Sequence, residues 1–331
     1  MLDEAHVIQE WGGTFRSDYL RIGPIRYLIT RKPAVGLHLG TATLPPGRLD
    51  DLMTNLNFRP NHTQIFCMST DRPNIFFSVR KMEHPLNSYH DLAFIIKLHM
   101  TGDDPRPPKF LVFFNSRAEA QAGAEYLRVR LPPELRDKVK WFHSGMTDEF
   151  REGEMHALLI GDVFGHAATD AAGMVSDTPM VFIIAWTNYP IQGIDLPDVK
   201  LVVQYRVPKE LSTFIQRAGR AAHNPTLQAT AVLLAEPSYF DDEKEKAARK
   251  AAERTRKRAA DGQLQPSNTQ VRCSSLSGER DKGEAVKVAI PQSRCEPAMD
   301  DFLNADQRPE KCHRKVVNNH FGNNDLRKSF A

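Results

Sequence analysis

The chain has 331 residues, 41% of them hydrophobic, which is enough for about two domains with cores of their own. A net charge of +3 and a pI near 8.6 permit a polyanionic partner without requiring one. Four cysteines with no C-x-x-C pair exclude a disulfide framework, and the longest apolar run, 180–186, is too short to span a bilayer, so the chain reads as intracellular, soluble and free of any membrane.

In chain order, the first feature is Asp3-Glu4-Ala5-His6, directly after Met1-Leu2. At the end of a buried strand, one carboxylate of such a pair holds the Mg²⁺ of bound ATP and its neighbour orients the attacking water. The same letters are also an ordinary helix start. Gln9, Trp11, Phe15, Arg16 and Tyr19 follow at loop-like spacing around Gly12-Gly13. Residues 19–29 carry apolar positions near helical spacing, and 35–39 alternates as a short strand ending at Gly40-Thr41-Ala42-Thr43. Pro45-Pro46 opens a helix through Asn55, and 64–68 reads as a strand.

Asp71-Arg72-Pro73-Asn74-Ile75 marks a boundary between two units. A helix is expected over 90–98 and a Pro/Asp-rich loop over 101–108. Phe110 to Phe114 is a continuous apolar run, as in a strand buried on both faces of a parallel sheet. Asn115-Ser116-Arg117 sits at its C-terminal end, where α/β folds place ligand sites. A helix over 119–130 leads to Lys140-Trp141-Phe142 and then His143-Ser144-Gly145-Met146. A helix over 147–155, strands over 157–160, 201–205 and 228–235, and a segment from Pro208 to Ile215 complete an alternating pattern. The pattern predicts a parallel α/β fold.

Thr169-Asp170-Ala171-Ala172-Gly173-Met174 is separated from Gly193-Ile194-Asp195-Leu196-Pro197-Asp198-Val199 by 175–192, and removing that segment leaves TDAAGMGIDLPDV. Two readings are open. A surface insertion costs little entropy. A retained intron of a fungal-type gene agrees with the clean cut, with donor-like coding for Val175-Ser176 and with an acceptor-like CAG for Gln192. The apolar stretch 182–186, aggregation-prone if exposed, favours the intron.

Gln216-Arg217-Ala218-Gly219-Arg220-Ala221-Ala222-His223 follows. Residues 242–260 are rich in Ala, Lys, Arg and Glu, with no apolar stripe. They read as a solvated charged helix, or as one that touches phosphates through Arg249, Lys250, Arg254, Arg256, Lys257 and Arg258. Residues 263–309 are polar and aperiodic, and are expected to be disordered. The last recognisable stretch is Cys312-His313-Arg314-Lys315-Val316-Val317-Asn318-Asn319-His320-Phe321-Gly322-Asn323.

Taken in order, these motifs resemble the RecQ family of DNA helicases. The family pattern runs DEAH, Q-W-G-x-x-F-R-x-D-Y, T-A-T, D-R-P-N-I, Y-H-S-G-M, a T-D…G-x-D-x-P-D-V motif and Q-x-x-G-R-x-G-R. The likeness covers Leu2 to about Tyr239, and Cys312 to Asn323 resembles C-R-R-x-x-L-x-x-Y-F-G at the start of the family's zinc subdomain. It implies RecA-like parallel sheets: a partial first lobe over 1–73 and a complete second lobe over 74–240 with an insertion at 175–192. A charged helix over 241–262, a disordered linker over 263–309 and a zinc-subdomain fragment over 310–331 would form a basic tail.

The implied activity is ATP-dependent 3′→5′ unwinding of DNA in the nucleus, in repair and recombination. ATP and Mg are the implied cofactors, and single-stranded DNA and duplex junctions the partners. By resemblance, Asp3 binds Mg through ATP, Glu4 positions water, and His6 and Gln9 couple the cleft to DNA. Trp11, Phe15 and Arg16 contact single-stranded DNA. Thr41 and Thr43 couple the lobes, and Asn115 and Ser116 contact nucleic acid. Thr169, Asp170 and Asp195 serve the DNA-coupling motif, with Asp195 also at the nucleotide, and Gln216 and Arg220 face its phosphates. His143 marks its motif only.

The chain departs from the family in two places: Ala222 replaces a Gly and His223 an Arg. An imidazole is shorter than a guanidinium and mostly neutral. No G-x-x-x-x-G-K-[ST] loop occurs, so the chain is expected to begin beyond the phosphate-binding loop and to lack activity alone, or to be a non-catalytic nucleic-acid-binding remnant. No C-x-x-C pair follows Cys312, so no zinc site is expected.

Overall fold

The computed structural model describes residues 38–98, 100–101, 104–143, 145–169, 196–260 and 295–324. Asp3, Glu4, His6, Gln9, Trp11, Phe15, Arg16, Asp170 and Asp195 lie outside the described residues, as does the whole of 175–192.

Among the described residues the strands are β1 (Ile75–Lys81), β2 (Phe110–Phe113), β3 (Val139–Phe142), β4 (Gly165–Ala168), β5 (Leu201–Tyr205) and β6 (Ala229–Ala235). They form one sheet in the order β1-β6-β5-β2-β4-β3, and every neighbouring pair is parallel. The apolar run of β2 is buried on both faces, as its composition predicts. Leu111 and Phe113 enter one core with Val202 and Leu233. Phe110, Val112 and Phe114 enter the other with Val203 and Val232. Period-two alternation thus feeds two cores, one on each side of the sheet.

The helices are α1 (Pro46–Asn55), α2 (Arg117–Val129), α3 (Asp148–Ile160), α4 (Leu211–Ala218), α5 (Asp241–Ala260), α6 (Pro297–Leu303) and α7 (His313–His320). Ser116 caps α2 by accepting the Glu119 amide at 3.2 Å, and the helix buries Ala120, Gly123, Ala124 and Leu127 against the second core. Gly123 sits where any Cβ would enter the Phe114 ring, which accounts for a glycine in mid-helix. α4 buries Leu211, Phe214, Ile215 and Ala218 on the opposite face.

Four expectations are corrected. Residues 157–160 are not a strand but the last turn of α3, which Thr147 caps and Gly161 stops at φ 84°; the strand that follows is β4. A short apolar run does not distinguish the two, and the left-handed glycine decides it. Residues 90–98 form a 3-10 turn, His90–Leu92, and further turns rather than an α-helix. Asp91 there turns its carboxylate back to the amides of Glu83 and His84. Residues 64–68 pair with no strand among the described residues, and Ile65, Phe66 and Met68 are exposed.

The fourth correction is the largest. Residues 295–309 fall within the stretch read as disordered, yet α6 places Met299, Phe302 and Leu303 in the first core, with Ala305 just beyond it. α7 adds Val316 and Val317, and Phe321 follows. The tail segment therefore completes a face of the sheet that would otherwise be open.

Candidate functional site

Because the strands are parallel, their C-terminal ends share one edge of the sheet. Register sets Phe113 beside Ala168 and Gln204, and Phe142 beside Ala168. Asn115, His143, Thr169 and Arg206 therefore follow at that edge. Asn115 and Ser116 are exposed and Thr169 is half-buried. The Ser116 hydroxyl is engaged by the Glu119 amide and lies 3.1 Å from the Glu119 carboxylate. Burial and the Arg117 charge push the His143 pKa down. Arg206 adopts φ 69° and is held by Glu119 at 2.6 Å and Glu236 at 2.9 Å.

Behind this edge lies a polar network that sequence reasoning missed. Arg217, on α4, is buried; it donates to the Gln204 side-chain oxygen at 2.5 Å and to Asn115 Oδ1 at 3.3 Å. Gln204 donates to the carbonyls of Tyr205 and Arg206, and Asn115 donates to Val207 O. A buried guanidinium persists only with such partners. One signal was visible: a glutamine inside the apolar strand Leu201-Val202-Val203-Gln204-Tyr205.

The other predicted set lies at the opposite edge. α4 runs back along β5, and its last turn carries Gln216 into the turn containing Gly219 and Arg220. The Ala222 amide donates to Val199 O at 2.9 Å and the Asn224 amide to Pro197 O, both just before β5. Gln216, Arg220 and His223 are half-buried there. The structure thus separates Asn115, Ser116 and Thr169 from Gln216 and Arg220, with α4 spanning the two.

The linker residues hold this turn. Arg72 Nη2 donates to Ala222 O at 2.6 Å and to Ala221 O at 3.3 Å, and Asn74 Nδ2 donates to Ala222 O at 3.0 Å and to Leu227 O. α7 holds the linker in turn: Arg314 pairs with Asp71 and donates to the carbonyls of Arg72 and Ile75. Ala222 takes φ 42°, a left-handed conformation in which its carbonyl meets two donors. That geometry explains why the resembling family has glycine here. Ala222→Gly is expected to raise unfolding stability by about 0.5–1 kcal/mol, read as a higher urea midpoint at unchanged slope.

Thr41 and Thr43 lie in the irregular segment before α1. Thr43 is buried, and its hydroxyl has no hydrogen-bond partner among the described residues. α1 makes a small cluster of its own from Leu52 and Leu56 with Leu39, Leu44 and Phe58, and Arg48 bridges to Glu210 at 2.9 Å. Among the described residues no group of three or more His, Cys, Asp or Glu could hold a metal ion, and Cys67 and Cys312 are free thiols. No helix among them is long and apolar enough to cross a membrane.

Residues 91–224 match the family described as Helicase conserved C-terminal domain. The chain is 27% identical over 241 residues to the mouse bifunctional 3′-5′ exonuclease/ATP-dependent helicase WRN, covering 72% of this chain and 15% of that protein. It is also 27% identical to the ATP-dependent DNA helicase RecQ of Pasteurella multocida and to the probable ATP-dependent DNA helicase RecS of Bacillus subtilis. The matches cover 72% and 73% of this chain, and 32% and 42% of those proteins. The chain therefore spans less than half the length of each of these relatives. Among solved structures, the DEAD-box helicase Mss116 bound to ssRNA and UDP-BeF aligns with a TM-score of 0.51 at 20% identity, over 72% of this chain and 44% of that one.

The parallel sheet has the RecA-like fold of a helicase second lobe, and residues 91–224 match a helicase C-terminal domain. Within that class the chain is similar to helicases of the RecQ family.

Proposed function

We propose that residues 74–240 are the DNA-gripping and nucleotide-sensing lobe of an ATP-dependent DNA helicase, joined at residue 73 to part of a first lobe. Asn115, Ser116 and Thr169 meet the DNA strand, and Gln216, Arg220 and Asp195 face the nucleotide phosphates. Asp3, through ATP-bound Mg, and Glu4 act from the first lobe. His6 and Gln9 couple it to DNA, with Trp11, Phe15 and Arg16 stacking on and pairing with the single strand. Thr41 and Thr43 link the lobes. Movement is 3′→5′ on single strands and duplex junctions, in the nucleus, in repair and recombination.

The observation that carries this reading is α4. From the last turn of α4 the Arg217 side chain reaches Asn115 at one edge of the sheet, and the same turn leads on to Arg220 at the other. A shift of Arg220 on phosphate is thereby transmitted to the DNA-side loop.

These 331 residues contain no phosphate-cradling G-x-x-x-x-G-K-[ST] loop, and His223 stands where the family has arginine. On this reading the polypeptide by itself binds DNA but does not turn over ATP. In a DNA-stimulated ATPase assay it is expected to stay at background, whereas measurable turnover would show that the cleft is complete without that loop.

A further inference from the structure

The two halves of α5 have opposite surroundings. Its first turns are clamped to the lobe: Lys244 is buried and bonds Asp241 at 3.1 Å and Asp300 at 2.6 Å. Lys81 reaches Asp242 at 2.7 Å, and Arg308 reaches Asp241 at 3.1 Å. From Arg249 to Lys257 every residue is exposed. Residues 249–260 extend the helix by roughly 18 Å at the standard rise.

Charge is divided in the same way. Residues 241–246 hold four acids and two lysines. Residues 249–258 hold six Lys or Arg against one Glu, a net charge of +5, so the remainder of the chain, at +3 overall, carries −2. At about 100° per residue, Arg249, Lys250, Arg254, Arg256 and Lys257 fall within an arc of roughly 160°. The opposite arc carries Ala248, Ala251, Ala252 and Thr255.

In this outer half one ion pair forms, Glu253 with Lys257 at 2.9 Å. Arg249, Lys250, Arg254 and Arg256 have no carboxylate partner among the described residues. A solvated helix ordinarily intersperses signs, as the root of α5 does, because like charges four residues apart repel. Here Lys250 faces Arg254, and no packing offsets the repulsion.

We propose that the outer half of α5 is a basic arm that binds the phosphate backbone of duplex DNA. This rests on the DNA-binding reading above. The arm reads no sequence: charged side chains on an exposed helix position the lobe by releasing counterions from phosphates. The clamped root makes each phosphate contact by the arm bear on the sheet through α6 and β1.

The test uses the full chain and a short fluorescein-labelled duplex, with anisotropy titrations between about 50 and 200 mM salt. The variant Arg249→Gln/Lys250→Gln/Arg254→Gln/Arg256→Gln changes exposed side chains and is expected to keep the parent unfolding midpoint. Its plot of log K against log salt should be shallower by about 3.6, since each neutralised phosphate contributes about 0.9, with affinity near 0.1 M salt at least about tenfold weaker. A comparator of equal net charge, Arg59→Gln/Arg106→Gln/Lys200→Gln/Lys311→Gln, should keep the parent slope. If both variants lose slope alike, net charge and not the arm is responsible, and the proposal fails. An unchanged slope in the arm variant overturns the arm and leaves the DNA reading standing. Failure of the parent to bind duplex overturns both. A loss seen with phosphatidylserine vesicles and not with duplex assigns the arm to a membrane and also overturns the proposal.

Discussion

Phe302→Ala is expected to lower unfolding stability by about 3–5 kcal/mol, the usual cost of emptying a fully buried aromatic site. Phe302 is 0% exposed, with ring centroids 5.2 Å from Phe214 and 5.9 Å from Phe77. Phe214 is on α4 and Phe77 on β1, so the tail helix α6 closes the core between the first strand and the helix that carries Arg217. Urea unfolding of the full chain provides the measurement. A change under about 0.5 kcal/mol, as expected of a surface position, would mean that residues 295–324 do not belong to the domain. The effect should extend beyond the core, because α7, seated beside α6, holds the linker through Arg314 and the linker holds the Ala222 turn.

His166 is expected to make the protein acid-sensitive in a defined window. It lies in β4, fully buried, stacked on Phe142 at 5.4 Å, with neither ring nitrogen hydrogen-bonded among the described residues. Burial, with a smaller contribution from the Lys140 charge, pushes its pKa down to about 4. The unfolded chain binds this proton near pH 6.5 and the folded chain does not, so unfolding stability falls as pH drops from about 6.5 to about 4. At about 1.4 kcal/mol per pH unit the loss approaches about 3 kcal/mol. His143, His313 and His320 are also shifted down and act in the same direction. The difference between parent and His166→Leu isolates the one residue. His166→Leu should match or exceed the parent at pH 7, since it removes two unsatisfied polar atoms from the core, and should lose less stability on acidification. Parallel pH profiles for the two proteins would mean that the imidazole finds a partner or water inside the sheet.

Local pattern was a good guide wherever one property decided the structure. The apolar run at β2 announced burial on both faces, and the Ala-rich charged stretch announced a solvated α5. Local pattern misled at 157–160, where four apolar residues fit a strand or a helix end equally well until Gly161 turned left-handed. It misled again at 295–309, where few apolar residues are enough because the cavity that receives them is already walled by Phe77 and Phe214.

The order of the motifs, and with it the resemblance to helicases, was legible in the sequence alone, because each motif is a run of neighbouring residues. Only the tertiary structure decided which motifs meet. Arg217 reaches Asn115 across 102 residues, Arg72 reaches Ala222 across 150 and Arg314 reaches Arg72 across 242. Such pairings depend on the order in which parallel strands are laid down, and strand order is set by the packing of the whole sheet rather than by any one segment. The result is a sheet whose two edges are joined by one helix and whose arginine turn is held by the linker and the tail.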